Sequence, residues 1–406
     1  MTSKVDVPFA LSRIDAPQRA TPPRPRRVML VQTQAEGAGA QEITRILGHG
    51  LTARGHEVHH VFFFRRTAAF DQQPNTYFCA PERPADIPSL FRMLRNLLRH
   101  MRAVRPGAVL TFQHYGNLLG TVAARLTGAG AVIANRVSAR ALEPAWTRTL
   151  DFVFGLTGLF DRVVVNSQAV ADEYGSHPRR YRDRLVRIDH GFEPKRSHVS
   201  AIDARRSFGL PSDAPLLGSV ARLHETKNLS AAVRVLTLHP GWHLALAGQG
   251  PERARLEALA RSLGVAERVH FAGELSPERV AQFLKSLDVF VFPTLAETFG
   301  LAVVEAAQAG VPVVANDLEV LREVLYADDG PCALFVDAND TAAFAAAVDR
   351  LLHDATLRAA LIAPSRGLET RYSVDVMSGR YAELIQAASA GEWRAVLAGE
   401  NPNPGR

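Results

Sequence analysis

Twelve short apolar runs punctuate the chain. Six lie in the first half: Val28–Gln32, Val58–Phe64, Ala108–Phe112, Ala131–Asn135, Arg162–Val165 and Leu185–Ile188. Six follow in the second: Leu216–Val220, His243–Ala247, Val269–Ala272, Val289–Phe292, Val311–Ala315 and Ala333–Val336. Most are apolar at nearly every position rather than at alternate ones, which fits strands buried on both faces. The longer stretches between them have helical period and supply the covering layers. The pattern predicts parallel sheets, and two series predict two doubly wound α/β domains, at 26–195 and 200–372. The break falls in the polar segment Glu193–Asp203. Residues 1–25, with five prolines, read as a flexible arm, and 396–406 as a tail. Open sheets of this kind bind ligands at the carboxyl ends of their strands. Two facing sheets therefore place the expected ligand in a cleft between the domains.

Composition narrows the class. A length of 406 residues, 47% hydrophobic and 22% charged, excludes a largely disordered or fibrous chain. Cys79 and Cys332 are far apart and suggest no disulfide framework or zinc site. The apolar runs fall well short of the roughly 18 residues of a membrane span, and the first 25 residues lack an apolar leader core. The expectation is a soluble, cytoplasmic protein. A net charge of +6 points to an anionic partner and does not say which.

The densest chemistry lies in Phe292-Pro-Thr-Leu-Ala-Glu-Thr-Phe-Gly-Leu-Ala-Val-Val-Glu-Ala-Ala-Gln-Ala-Gly-Val-Pro-Val-Val-Ala315. A strand enters a loop holding Glu297 and Gly300, and a helix begins near Leu301. The free N–H groups of such a helix start, with the macrodipole behind them, seat a phosphate. Gly300 lets a ligand approach the backbone. Glu297 and Glu305 can accept hydrogen bonds from separate sets of sugar hydroxyls. Two glutamates eight residues apart are by themselves a weak signal, and surface side chains would be the plain reading.

The surrounding residues outweigh that reading. Pro293-Thr294, Glu297-Thr298-Phe299-Gly300-Leu301, Glu305-Ala306 and Gly310-Val-Pro-Val-Val-Ala315 together resemble the signature of family 4 retaining glycosyltransferases (glycosyl transferases group 1), which have the GT-B fold. Gly218-Ser-Val-Ala-Arg-Leu-His-Glu-Thr-Lys-Asn228, Leu246-Ala-Gly-Gln-Gly-Pro-Glu252 and Val269-His-Phe-Ala-Gly273 match further blocks of that family in order and spacing. The resemblance covers nearly all of 200–385. It implies that Arg222 and Lys227 hold a donor diphosphate and that Glu305 takes the ribose hydroxyls. It further implies that Glu297 binds the transferred sugar, helped by backbone N–H groups at Phe299, Gly300 and Leu301. Leu275 would pack near the base. Gln249 stands where the family commonly has an acid. Residues 373–395 resemble the family's last helices, which cross back to the first domain.

The first half is less specific. Gln34-Ala-Glu-Gly37-Ala-Gly39 is glycine-rich without the Gly-x-Gly-x-x-Gly fingerprint, so a nicotinamide enzyme is disfavoured. In the resembled family this loop faces donor phosphate and acceptor. His114, in Thr111-Phe-Gln-His-Tyr-Gly116, ends a strand where the family often places a histidine, and it is assigned with Glu297 to the reacting groups. Asn166, Ser167 and His190 match strand ends and are expected to line the cleft, and Arg136 to meet an acceptor phosphate.

The expected reaction moves a sugar from a nucleotide diphosphate-sugar to a hydroxyl acceptor with retained configuration. A UDP-sugar is the expected donor, with a GDP-sugar as the alternative. No resident cofactor or metal is expected, since no Asp-x-Asp motif appears. Front-face substitution is implied, with interdomain closure excluding water. Leu90–Arg105 adds a further clue: an apolar helical stripe is flanked by Arg92, Arg95, Arg99, Arg102 and Arg105, and Arg179–Arg184 forms a second basic cluster. These suggest an anionic membrane surface and a glycan or lipid-linked acceptor; no nucleic-acid motif accompanies them. A sugar-phosphate synthase with a soluble acceptor and a silent nucleotide-sugar-binding subunit are the competing readings.

Overall fold

The computed structural model describes residues 26–36, 39–137 and 143–390. The chain divides into two units, one formed by 1–192 with 372–406 and the other by 193–371. In the first, strands β1 (Arg27–Ala35), β2 (Glu57–Arg65), β3 (Thr76–Ala80), β4 (Ala108–Phe112), β5 (Ala131–Arg136), β6 (Arg162–Val165) and β7 (Leu185–Arg187) form one sheet. Its order is β3-β2-β1-β4-β5-β6-β7, parallel throughout. Val28 to Val31 of β1 are wholly buried, as a strand covered on both faces requires. Six of these strands coincide with the apolar runs. The seventh, β3, does not: Thr-Tyr-Phe-Cys-Ala at the sheet edge is only partly buried and carries no continuous apolar signal.

Helices α1 (Gly39–Ala53), α2 (Ile87–Val104), α3 (Thr121–Thr127), α4 (Ala145–Thr157), α5 (Gln168–Asp172) and α6 (Arg179–Arg182) connect the strands. Met93, Leu97 and Met101 of α2 and Ala123 and Ala124 of α3 pack on Met29, Val31, Val61, Val109 and Val132. Phe154 of α4 packs on Ala134, Val163 and Val165. Val132 and Ala134 are two apart on β5, so α2, α3 and α4 share one face of the sheet. On the opposite face α1 meets the last described helix, α15 (Val374–Ala390). Tyr381 of that helix donates to Asn135 Oδ1 at 2.5 Å, and Arg54 of α1 pairs with Asp375 at 2.6 Å.

The second unit has β8 (Leu216–Val220), β9 (His243–Ala247), β10 (Val269–Gly273), β11 (Val289–Phe292), β12 (Val313–Asn316), a small antiparallel pair β13 (Tyr326–Ala327) and β14 (Gly330–Pro331), and β15 (Leu334–Val336). Its main sheet runs β10-β9-β8-β11-β12-β15. The helices are α7 (Ala201–Ser207), α8 (Leu229–Val235), α9 (Arg253–Ser262), α10 (Pro277–Ser286), α11 (Leu301–Gln308), α12 (Glu319–Val324), α13 (Thr341–His353) and α14 (Ala355–Arg371). A core of Leu217, Leu244, Leu246, Val289 and Val291 with Leu229, Val233, Leu256, Phe344 and Val348 joins one face to α8, α9 and α13. In each unit the strand order reverses beside the first strand, between β1 and β4 and between β8 and β11. Such reversal points are where loops diverge and leave a crevice for ligands.

Candidate active site

Two loops leave the β8/β11 reversal point of the second unit, and the chain staples them together. The Leu295 amide donates to the Thr226 carbonyl at 2.8 Å, and the Thr294 hydroxyl donates to the same carbonyl at 3.0 Å. Asn316 of β12 donates to the Thr294 carbonyl at 2.8 Å. The β8 loop is braced from its other side by the turn after β9. A Cβ on Gly248 would lie 1.9 Å from the Ala221 carbonyl oxygen, and one on Gly250 would lie 2.2 Å from that of Leu223. Only glycine permits so close an approach. Gln249, the departure from the resembled family's acid, is exposed and contributes its carbonyl to the Leu223 amide.

This bracing positions the two cations of the β8 loop. Arg222 is exposed, with no ion-pair partner among the described residues. Lys227 closes a 3-10 turn (Glu225–Lys227) and pairs with Glu297; its ammonium also lies 5.7 Å from the Phe292 ring centroid. The Glu297 side chain is 12% exposed and that of Lys227 23%, so the pair is shielded from bulk water. Lys227 and Glu297 are 70 residues apart in sequence, and the structure brings them into contact.

Gly300 caps α11 in the left-handed region, at φ 87°. Its missing Cβ would meet Leu321 at 3.1 Å and Val303 at 3.2 Å, so both conformation and space call for glycine there. The turn directs the first amides of α11, from Leu301 onward, away from the helix. The Phe299 ring is in the core, 2% exposed, so only its backbone is available to a ligand. Glu305 stands on the next turn of α11, 3.7 Å from Lys195. Leu275 is half-buried in the loop after β10.

At the β1/β4 reversal point of the first unit, His114 sits on a strained corner. Gln113 before it has φ 62°, and a π-helical turn (Gly116–Gly120) follows it. Non-glycine residues seldom adopt such a φ, and π-turns often mark functional sites. The Gln113 side chain fastens the corner to β1 by accepting from the Thr33 amide at 3.2 Å. Burial lowers the His114 pKa, and its ring rests 4.2 Å from Tyr115. Its Nδ1 has no hydrogen-bond partner among the described residues. Gly39 opens α1, whereas Gly37 lies outside the described residues.

Three strand-end expectations are corrected. Arg136 is not presented to an acceptor: its guanidinium is buried against Asp151 and 5.4 Å from the Phe160 ring centroid. Ser167 is buried as the N-cap of α5, accepting from the Val170 amide at 3.2 Å. His190 is fully enclosed, 2.9 Å from Asn166, and burial pushes its pKa down to about 4. In each case the side chain is taken up by protein partners at the strand end.

Two residues that the sequence reading passed over belong to this description. Lys195 lies in the polar segment read only as a domain break. Glu36, in the glycine-rich loop, accepts from Gln34 at 2.7 Å and from Arg66 at 2.8 Å.

Two doubly wound α/β units with ligand loops at both reversal points define the GT-B class. Residues 37–196 match the family described as Glycosyltransferase Family 4, and residues 201–367 match Glycosyl transferases group 1. The two matches together place glycosyltransferase sequence along both halves of the chain. Among similar proteins, D-inositol 3-phosphate glycosyltransferase of Acidothermus cellulolyticus is 37% identical over 222 residues, which cover 50% of this chain and 48% of that protein. The lipopolysaccharide core biosynthesis glycosyltransferase LpsE of Rhizobium meliloti is 32% identical over 228 residues, 55% of this chain and 64% of its own. The chain thus spans about half the length of the curated relatives it matches. The structure of Anabaena HepE in complex with UDP-glucose superposes with a TM-score of 0.77 at 15% identity, covering 89% of this chain and 100% of that one.

Proposed function

We propose that the protein transfers a sugar from a nucleotide diphosphate-sugar to a hydroxyl acceptor with retention of configuration. The observation that carries this reading is the shielded Lys227–Glu297 pair beside the Gly300 turn at the start of α11. The pair sets a cation for phosphate next to a carboxylate for sugar hydroxyls. A UDP-sugar is the donor we favour over a GDP-sugar, in keeping with the UDP-glucose complex of the structurally similar HepE.

In this reading the bond between the anomeric carbon and the diphosphate oxygen breaks. The acceptor oxygen bonds the same face of that carbon, and the acceptor proton passes to the departing diphosphate. Negative charge grows on the leaving group, and Arg222, Lys227 and the α11 amides stabilise it; preorganised charge of this kind usually contributes most to catalysis. No metal is required, because these groups already supply the positive field. Glu297 orients the sugar through its hydroxyls. His114, whose pKa is lowered by burial, is the first unit's candidate for contacting the acceptor. Glu297→Ala and Lys227→Ala should each abolish product formation while leaving the circular dichroism spectrum intact. Near-normal turnover in both would overturn the site assignment.

A second observation bears on the acceptor and on where the protein works. Among the described residues of the first unit, every large apolar side chain that is exposed lies on α2, α3 or α4: Ile87, Leu90, Phe91, Val122, Leu126, Trp146, Leu150 and Val153. These helices cover one sheet face, and their only carboxylate, Asp151, is buried. Arg92, Arg95, Arg99 and Arg102 are exposed on α2. Exposed apolar side chains on a face that also carries exposed arginines match an anionic bilayer surface, the aliphatic and aromatic groups entering the acyl boundary and the guanidinium groups meeting phosphates. We read this face as a peripheral membrane contact serving a lipid-linked glycan acceptor. Among the described residues, no helix is long and apolar enough to cross a membrane.

A further inference from the structure

In the second unit each carboxylate of the Glu297/Glu305 pair faces a lysine. Lys227 meets Glu297, and Lys195 lies 3.7 Å from Glu305. The two lysines reach the site by different routes. Lys227 comes from the β8 loop, whereas Lys195 lies in the segment that enters the second unit at Glu193. Lys195 and Glu305 are 15% and 16% exposed at their side chains, so their attraction is only partly screened by water. Arg196, the next residue, pairs with Glu369 of α14 at 2.5 Å and holds the segment down beside the lysine. Lys195 therefore approaches α11 from an anchored backbone.

A carboxylate has about four lone-pair sites, and an ammonium near one oxygen leaves the rest for hydroxyl donors. The separation of 3.7 Å is longer than a hydrogen bond, so the lysine attracts the carboxylate without saturating it. We propose that Lys195 is a positioning residue for the donor nucleotide, holding the Glu305 carboxylate aimed at the ribose hydroxyls. This rests on the reading of Glu305 as the ribose acceptor. It adds that ribose recognition is shared with a residue outside the motif and its helix. Without Lys195 a mostly buried carboxylate loses an opposite charge 3.7 Å away. Nucleotide affinity falls, and it falls through the ribose hydroxyls alone.

The test is calorimetric. UDP, GDP and ADP are titrated into the full-length wild type, and the tightest binder is compared with its 2′,3′-dideoxy analogue in Lys195→Met, Lys195→Arg, Glu305→Gln and the double variant Lys195→Met/Glu305→Gln. Lys195→Met should bind the ribonucleotide about tenfold more weakly, the size expected for a lost charge-assisted contact, and the dideoxy analogue within about twofold of wild type. Lys195→Arg should keep most of the affinity, and the double variant should bind no more weakly than Glu305→Gln. Equal losses for both nucleotides would overturn the proposal, because a lysine that merely anchors the segment does not distinguish them. An unchanged Lys195→Met would overturn it too. A wild type that binds none of the three nucleotides overturns the donor-site reading itself, so the two failures are separate.

Discussion

Arg136 leaves β5 with its guanidinium turned into the helix layer, where Asp151 and the Phe160 ring take it up. Asp151 also accepts from the Tyr181 hydroxyl at 2.8 Å, so the arginine closes a buried network. Removing one partner of a buried ion pair strands the other without compensation. Arg136→Met should therefore cost about 3–5 kcal/mol in denaturant unfolding and leave the KM for acceptor unchanged. A stable variant with a raised acceptor KM would return Arg136 to the site. Arg222, two residues past the end of β8, is exposed instead. Sequence position could not separate the two, since strands apolar at nearly every position carry no alternation that tells one face from the other. The motif residues fared differently. The Gly300 turn and the start of α11 were legible because their reasons are local. Lys195 was not, because its contact with Glu305 spans 110 residues and exists only once the second unit has folded.

At the scale of elements, continuous apolar runs identified the buried strands of both sheets, and partial burial at the edge hid β3. The arginines of α2 were visible as a periodic charge. The other exposed apolar side chains of that face were not, because Trp146 and Leu126 sit on helices distant in sequence that share a layer only through the sheet. If that layer is a membrane contact, sedimentation with vesicles containing phosphatidylglycerol should exceed that with neutral vesicles at low salt. Phe91→Ser/Trp146→Ser should weaken binding to the anionic vesicles without changing the melting temperature by more than a degree or two, as expected for exposed positions. Equal binding to neutral and anionic vesicles, or none, would contradict the assignment and favour a soluble phosphosugar acceptor.

At the scale of the molecule, the net charge of +6 resolves into separate roles. Some cations are structural: Arg184 donates to the Gly155 and Phe160 carbonyls, and Arg205 to those of Ser286 and Ala214. Arg222 and Lys227 stand at the reversal point of the second sheet, and the arginines of α2 stand on the apolar face of the first unit. Donor binding depends most heavily on the second of these groups. Titration of UDP, GDP and ADP with their glucose-bearing forms into wild type and Lys227→Ala tests it directly. The account predicts that at least one nucleotide sugar binds the wild type and binds Lys227→Ala at least about tenfold more weakly, as the loss of a charge-assisted phosphate contact requires. Undiminished binding in Lys227→Ala, or no binding by the wild type, would contradict it.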